Sequence, residues 1–447
     1  GLRAPPRRAA PRAPRRASAS EGTILEAREV ANKKAERRRI ASSPTFFRTH
    51  GDFKEEQAVV QEKMLAEMKS TLLDSMRAGT FETSRGEGNA AVTFRLAQEY
   101  GMCWGAERSI ELALAATEKY PDKRKHITNE LLHNPGVNNM LADAGVEFVD
   151  KTADGGKRFD DVSPGDVVIL PAFGATLAEM QHFDDMGVTT VDTTCPWVTK
   201  VWNVVDKQVA KGMTTVIHGK YAHEEAIATA SYCDNYIMVK NIDEAEYVCR
   251  YILNPTPEGK EALLAKFAKA MSKGFDPDVH LAKVGLANQT TMYKKETQAI
   301  GKLFELTMIQ KYPEDASDRF VAFDTICDAT QVRQDAIQEM IQDPKVDELD
   351  FILVVGGFDS SNTAHLVEIP HDAGKTVFHI NEGDCIREDN SVKHRLLNGD
   401  VVIENDWLPT DRPLKIGVTS GASTPDAYVQ DALERLVLLK AAISPAA

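Results

Sequence analysis

TTVDTTCPWVTKV, Thr189 to Val201, runs from a β-branched segment ending at Asp192, through Cys195, into the periodic stretch VTKVWNVVDKQVAKG. Proline fits the first helical position because it has no N–H to leave unsatisfied, and Gly212 supplies a stop. Cys195 therefore stands where a strand hands over to a helix, beside free helix N–H groups that favour a thiolate. FVAFDTICDATQVRQDAIQEM, Phe320 to Met340, repeats the arrangement, with Asp324-Thr325-Ile326-Cys327 in the places of Asp192-Thr193-Thr194-Cys195. A looser third case is TFRLAQEYGMCWGAERSIELALAATEKY, where Cys103 precedes an amphipathic helix. Three cysteines, each expected at the carboxyl end of a strand, form the strongest pattern in the chain.

Working outward, strand and helix signals alternate from residue 91 onward, which predicts an α/β fold with active groups beyond the carboxyl ends of the strands. Strands are expected at 91–97, 166–172, 187–192, 214–219, 235–240, 284–288, 320–325, 350–356, 375–380 and 415–419. Residues 250–280 read as an irregular peripheral insertion, and 54–78 as one amphipathic helix packing on the body or on a second subunit. The expected organisation is a leader or disordered tail over 1–50 and a helical extension over 51–90. Three α/β modules then follow at 91–192, 193–322 and 323–447.

The 447 residues, 43 % of them hydrophobic, can bury a large core, and no apolar run approaches a membrane span. Residues 1–20 hold six Arg and four Pro without an acid, a composition that suits an organelle-targeting leader. Over residues 1–40, 12 Lys/Arg face 4 Asp/Glu, which leaves 41 basic against 63 acidic residues in the rest. That acidic body argues against a duplex nucleic-acid surface. Six cysteines without a C-x-x-C pair exclude a disulfide scaffold and zinc ribbons, while leaving a site assembled from distant segments open.

Thiolates at Cys103, Cys195 and Cys327 suit an iron–sulfur cluster, since three protein ligands leave one iron open. The competing reading is buried, inert cysteine, and that reading is preferred for Cys233, Cys249 and Cys385. Several loops carry small donors: HGKYAHEE with His223, Glu224 and Glu225; NQTT with Thr290 and Thr291; GGFDSSNT with Ser360, Ser361 and Asn362; and TSGAST with Ser423. Hydroxyls, amides and helix N–H groups can cradle a phosphate, although each loop alone is equally a turn or a cap. No Walker A or G-x-G-x-x-G sequence supports a nucleotide. His133 in NELLHNPG ends a short β-like run before the helix start at Asn134-Pro135, His223 could donate to an anion, and a desolvated Glu225 could donate a proton. Asp192 and Asp324 are read as turn-capping groups.

DTTCPWVTKV, the HEE segment, NQTT, DTICDATQ, DSSNT and TSGASTPD occur in one order over residues 92–440, and this combination resembles the 4-hydroxy-3-methylbut-2-enyl diphosphate reductases of the non-mevalonate isoprenoid pathway. The resemblance implies three similar α/β modules in pseudo-threefold arrangement around one [4Fe–4S] cluster. Cys103, Cys195 and Cys327 would hold it, with the fourth iron open to the substrate hydroxyl. It also implies that His133, His223, Ser360, Asn362 and Ser423 hold the diphosphate, with Ser361 in the same loop. Glu225 would supply the proton, assisted by Thr290 and Thr291. Reduced ferredoxin in a plastid would supply two electrons, the products being isopentenyl and dimethylallyl diphosphates, and the chain would be a monomer or homodimer.

Pro171-Ala172-Phe173-Gly174 departs from the bacterial S-A-H-G pattern and removes one diphosphate-contacting histidine. With Trp104 and the N-terminal extension, this departure resembles the plant and cyanobacterial branch. Two alternatives stand beside this reading: a quinolinate-synthase-like three-cysteine enzyme, whose site would favour Arg and Lys, and a non-enzymatic iron–sulfur sensor.

Overall fold

The computed structural model describes residues 25–30, 32–152, 156–343 and 348–444. The leader expected in residues 1–20 lies outside them. Three mainly parallel sheets make up the body. The first runs, in spatial order, Phe46–Phe47, Thr189–Asp192, Val167–Leu170, Lys125–Ile127 and Val146–Phe148. Phe320–Ala322, Val284–Asn288, Thr214–His218 and Tyr236–Val239 form the second. The third comprises Val377–Ile380, Phe351–Val355, Leu414–Ser420, Val92–Leu96 and an antiparallel edge, Glu82–Arg85. The interior strand FILVV, Phe351–Val355, is buried at every position, as an apolar strand covered on both faces must be.

The module boundary expected at residue 91 is corrected by pairing. Val92–Leu96 lies between Leu414–Ser420 and Glu82–Arg85, so it belongs to the third sheet and not to a first module. The helix Trp104–Lys119 then crosses to the first sheet. Likewise Pro196–Ala210 connects the first sheet to the second, and Asp328–Gln342 connects the second to the third. The three helices that follow the three cysteines are thus the crossovers between sheets from Val92 onward.

Other expectations are also revised. Residues 33–53 are folded onto the body: Lys33–Ala41 is helical, and Phe46–Phe47 adds an edge strand beside Thr189–Asp192. Residues 54–78 break into Gln57–Met68 and Thr71–Ala78, because Lys69 is extended and the Ser70 hydroxyl caps the second helix at Leu73 N–H. Both pack on the body, burying Val60, Met64, Met68, Leu73 and Met76. The stretch at 250–280 is largely helical, with Ile242–Leu253, Pro257–Lys266 and Pro277–His280. Leu263, Phe267 and Phe275 join the core that spans the first and second sheets, so this segment is no peripheral insertion.

Candidate active site

Each cysteine is an N-cap, half outside its helix with extended backbone: Cys103 for Trp104–Lys119, Cys195 for Pro196–Ala210 and Cys327 for Asp328–Gln342. One follows a strand of the third sheet, one a strand of the first and one a strand of the second. The cysteine backbone repeats a single hydrogen-bonding device. Cys103 N–H donates to Ala422 O at 2.9 Å, Cys195 N–H to Ala172 O at 3.0 Å and Cys327 N–H to Thr290 O at 3.1 Å. In every case the acceptor lies in the loop after the neighbouring strand of the same sheet. Three carboxyl-end loop pairs therefore point at one place, where they line a cavity of about 110 Å³.

All twelve residues expected at the site line this cavity: Cys103, His133, Cys195, His223, Glu225, Thr290, Thr291, Cys327, Ser360, Ser361, Asn362 and Ser423. Phe173 lines it too, whereas none of the described lining residues is Arg or Lys. Gly105 carries no signal in the sequence, yet a Cβ there would lie 2.6 Å from Cys195 Sγ and 3.8 Å from Cys103 Sγ. The absent side chain thus makes a cradle against two sulfurs. Among the described residues, no three His, Cys, Asp or Glu side chains close on a point as ligands to a single metal ion. The cavity between the cysteines suits a larger, thiolate-bound group instead.

The thiols do not behave as strand–helix junctions alone suggest. Burial pushes Cys195 up to about 12, against the lowering effect of Trp197 N–H. It pushes Cys327 up to about 11, against Thr330 and Ala329 N–H. At these two cysteines desolvation outweighs the helix termini, so Cys195 and Cys327 are neutral thiols until a cation offsets the burial. Asp192 caps Thr194 N–H at 3.0 Å as expected, but Asp324 pairs with Lys294 at 2.7 Å. Cys233, Cys249 and Cys385 are buried among hydrophobic residues.

Glu225 is 2 % exposed in the first turn of Glu224–Ser231, where the His223 ring caps its N–H. Its carboxylate accepts Thr290 N–H at 2.6 Å and Thr290 Oγ1–H at 2.9 Å. Burial raises it to about 7 against both of these bonds, so it is poised to exchange a proton near neutrality. His223 is held near 3 by burial, aided by His133 and Lys220, and is neutral. Because His223 Nδ1 accepts Glu225 N–H at 3.1 Å, its proton belongs on Nε2, which lies 3.4 Å from His133 Nε2. His133 Nδ1 in turn donates to Glu130 Oε2 at 3.1 Å. Phe173 stacks on His133 with ring centroids 4.3 Å apart.

Opposite this pair stands the amino end of Ser361–Asp372, capped by Ser360. Asn362 Oδ1 is occupied by Ala422 N–H at 2.8 Å, while its buried Nδ2 has no partner. That leaves an amide donor beside the Ser361 hydroxyl and the free N–H groups of a helix terminus, a combination suited to an anion. Gln289 ties the two walls together: its Nε2 reaches Thr291 Oγ1 at 2.8 Å and Ser361 Oγ at 3.3 Å. Glu130 and Gln289 are not among the expected site residues. They stand in the NELLHNPG and NQTT segments, Glu130 three residues before His133, but the reach of Gln289 to Ser361 has no local spacing.

A family model described as "LytB protein" matches residues 94–437. A 4-hydroxy-3-methylbut-2-enyl diphosphate reductase of Thermosynechococcus vestitus (strain NIES-2133 / IAM M-273 / BP-1) is 47 % identical over 408 residues, covering 91 % of this chain and 98 % of that protein. A chloroplastic 4-hydroxy-3-methylbut-2-enyl diphosphate reductase of Botryococcus braunii is 53 % identical over 347 residues, covering 77 % of this chain and 68 % of that protein. Among solved structures, the E-1-hydroxy-2-methyl-but-2-enyl-4-diphosphate reductase from Plasmodium falciparum shares the fold, with a TM-score of 0.55 at 20 % identity, covering 78 % of this chain and 90 % of that one.

Proposed function

The chain belongs to the LytB protein family and has the 4-hydroxy-3-methylbut-2-enyl diphosphate reductase function for which its relatives are named, and we propose that the cavity between its three sheets is where this reaction occurs. It is an oxidoreductase of the non-mevalonate isoprenoid pathway. In the overall change, two electrons and two protons convert the allylic alcohol into isopentenyl or dimethylallyl diphosphate and water. The observation that carries this assignment is the meeting of three cysteines, one buried carboxyl and a set of anion donors, the unpaired Asn362 Nδ2 among them, in one cavity.

Cys103, Cys195 and Cys327 would hold a [4Fe–4S] cluster, and Gly105 leaves room beside two of the sulfurs. When bound, the cluster supplies electrons and a Lewis-acidic iron with an open position. The remaining residues bind the substrate and move protons. Asn362 Nδ2, the Ser360, Ser361 and Ser423 hydroxyls and the helix terminus behind Ser360 bind the diphosphate. Neutral His223 offers Nε2–H to the same anion, and His133 turns with it. Their mutual contact at 3.4 Å is the bond the anion would replace.

Glu225 holds a proton near neutrality and delivers it through the Thr290 hydroxyl, 2.9 Å away, to the departing oxygen. Thr291, held by Gln289, steadies the same wall. Phe173 cannot donate to a phosphate oxygen, and its stacking on His133 instead limits water at that side. Ser, Thr, Asn and His donors without Arg or Lys fit a small diphosphate better than a multicarboxylate.

Reduced ferredoxin as donor and a plastid location complete the proposal, supported by the chloroplastic relative and the Arg-rich first 20 residues. The deciding experiment gives the anaerobically reconstituted chain the hydroxymethylbutenyl diphosphate and dithionite with a viologen mediator, and then identifies the products. Both five-carbon diphosphates should appear. Failure to remove the hydroxyl by a protein with full iron content would reject the assignment.

A further inference from the structure

Two arginines reach into the cysteine junctions without joining the cavity lining. Arg333 stands six residues after Cys327, on the crossover into the third sheet, and is 5 % exposed. Its donors go to backbone carbonyls and not to a carboxylate. Nε and Nη2 reach Gly101 O at 3.0 and 2.7 Å, and Nη1 reaches Ala329 O at 2.7 Å. Arg333 thereby joins the loop two residues before Cys103 to the helix turn two residues after Cys327. Arg108 repeats the move. Five residues after Cys103, on the crossover into the first sheet, it donates from Nη1 to Thr194 O at 3.1 Å, next to Cys195, and from Nη2 to Arg48 O.

We propose that Arg333, with Arg108 as its counterpart at the next junction, is a positioning residue of the thiolate cage, fixing the approach loop of Cys103 and supplying the buried positive charge that favours the reduced state of a cluster held there. This rests on the cluster reading above. A guanidinium bonded only to backbone carbonyls has its geometry satisfied while its net charge remains unneutralised. Burial opposes that charge, while Glu99, Asp426 and, once ionised by a bound cluster, Cys103 and Cys327 support it. Three thiolates around a cluster that gains an electron are the negative charge such a group complements, and in a buried site the interaction is weakly screened. Among the described residues the third junction shows no such arginine: there the Lys207 ammonium lies over the Phe323 ring at 5.2 Å.

The test uses the reconstituted full chain, with iron per chain measured first and the cluster midpoint then taken by an EPR-monitored titration with dithionite. Arg333→Gln should take up iron and shift the midpoint to more negative potential. Arg333→Lys, which keeps the charge, should fall closer to the native value. Arg319→Gln removes a surface arginine paired with Asp315 at the amino end of a strand and should leave the potential unmoved. A midpoint of the Arg333→Gln variant coincident with the native one overturns the proposal. If Arg333→Gln takes up no iron, Arg333→Lys decides: restored uptake supports the charge, and equal loss overturns it. A native chain that itself takes up no iron instead rejects the cluster reading, and this inference with it.

Discussion

Glu225 shows how one residue acquires its chemistry from burial. A carboxyl in water would be ionised at pH 7, but full enclosure lifts this one to about 7 even with two donors from Thr290. Glu225→Gln should therefore keep its iron per chain and lose turnover by a factor on the order of 10²–10⁴, the range for a general acid. Near-native turnover would take Glu225 off the proton path. Gly105 carries the complementary prediction. Gly105→Ala places a Cβ 2.6 Å from Cys195 Sγ, and iron per chain after reconstitution should fall while the apo chain still folds.

His379 gives a pH signature separate from the reaction. Burial lowers it to about 4, and its Nε2–H donates to Gly356 O at 2.9 Å. A histidine depressed on folding contributes stability above the unfolded value near 6.5 and loses it as pH falls towards 4. Between pH 7.5 and pH 5.5, His379→Gln should remove about 1.4 kcal/mol of the apo chain's acid destabilisation, one pH unit of linkage. Denaturant midpoints of both proteins at the two pH values check this. Parallel curves would refute it.

Elements were legible where their end signals were local. Pro196 marks the helix after Cys195, and the β-branched run ending at Asp192 marks the strand before it. The segment at 54–78 reads as one helix because its apolar spacing survives a break that only Ser70 announces. Ser70 is 1 % exposed, accepts Leu73 N–H at 3.0 Å and donates to Gln430 Oε1 at 2.5 Å. Ser70→Ala should cost about 1–2 kcal/mol, read as a lowered urea midpoint, from the lost cap and the stranded amide. Thr256-Pro257 is a start signal for the helix at Pro257–Lys266, obscured by the charged and proline-rich residues around it. Val146–Phe148 and Lys125–Ile127 are three-residue strands, too short for any alternation to register.

At the scale of the whole molecule, the three sheets interlock. Residues 323–444 resemble a module in sequence, yet the strand that completes their sheet, Val92–Leu96, comes from the other end of the chain. A fragment beginning at residue 323 exposes the paired edge of Leu414–Ser420 and uncovers Phe351, Ile416 and Leu433 from the shared core with Val92 and Phe94. It should show no cooperative unfolding transition by circular dichroism unless residues 80–97 are restored. Cooperative melting of the isolated fragment would mean that this strand is dispensable.

The DTTC and DTIC repeats determined, from sequence alone, an α/β chain with cysteines at strand–helix junctions, and the ordered motifs identified the residues that meet at the site. Those features are encoded locally, in helix-start residues, β-branched runs and turn donors. Only the tertiary structure decided that each cysteine ends a strand of a different sheet, that Val92–Leu96 pairs with Leu414–Ser420, and that Arg333 crosses to Gly101. It also decided the protonation of the site, because desolvation of Cys195 and Glu225 depends on what the rest of the chain packs around them. Strand pairing and burial are properties of segments brought together from tens to hundreds of residues apart, and no short window of sequence contains both partners.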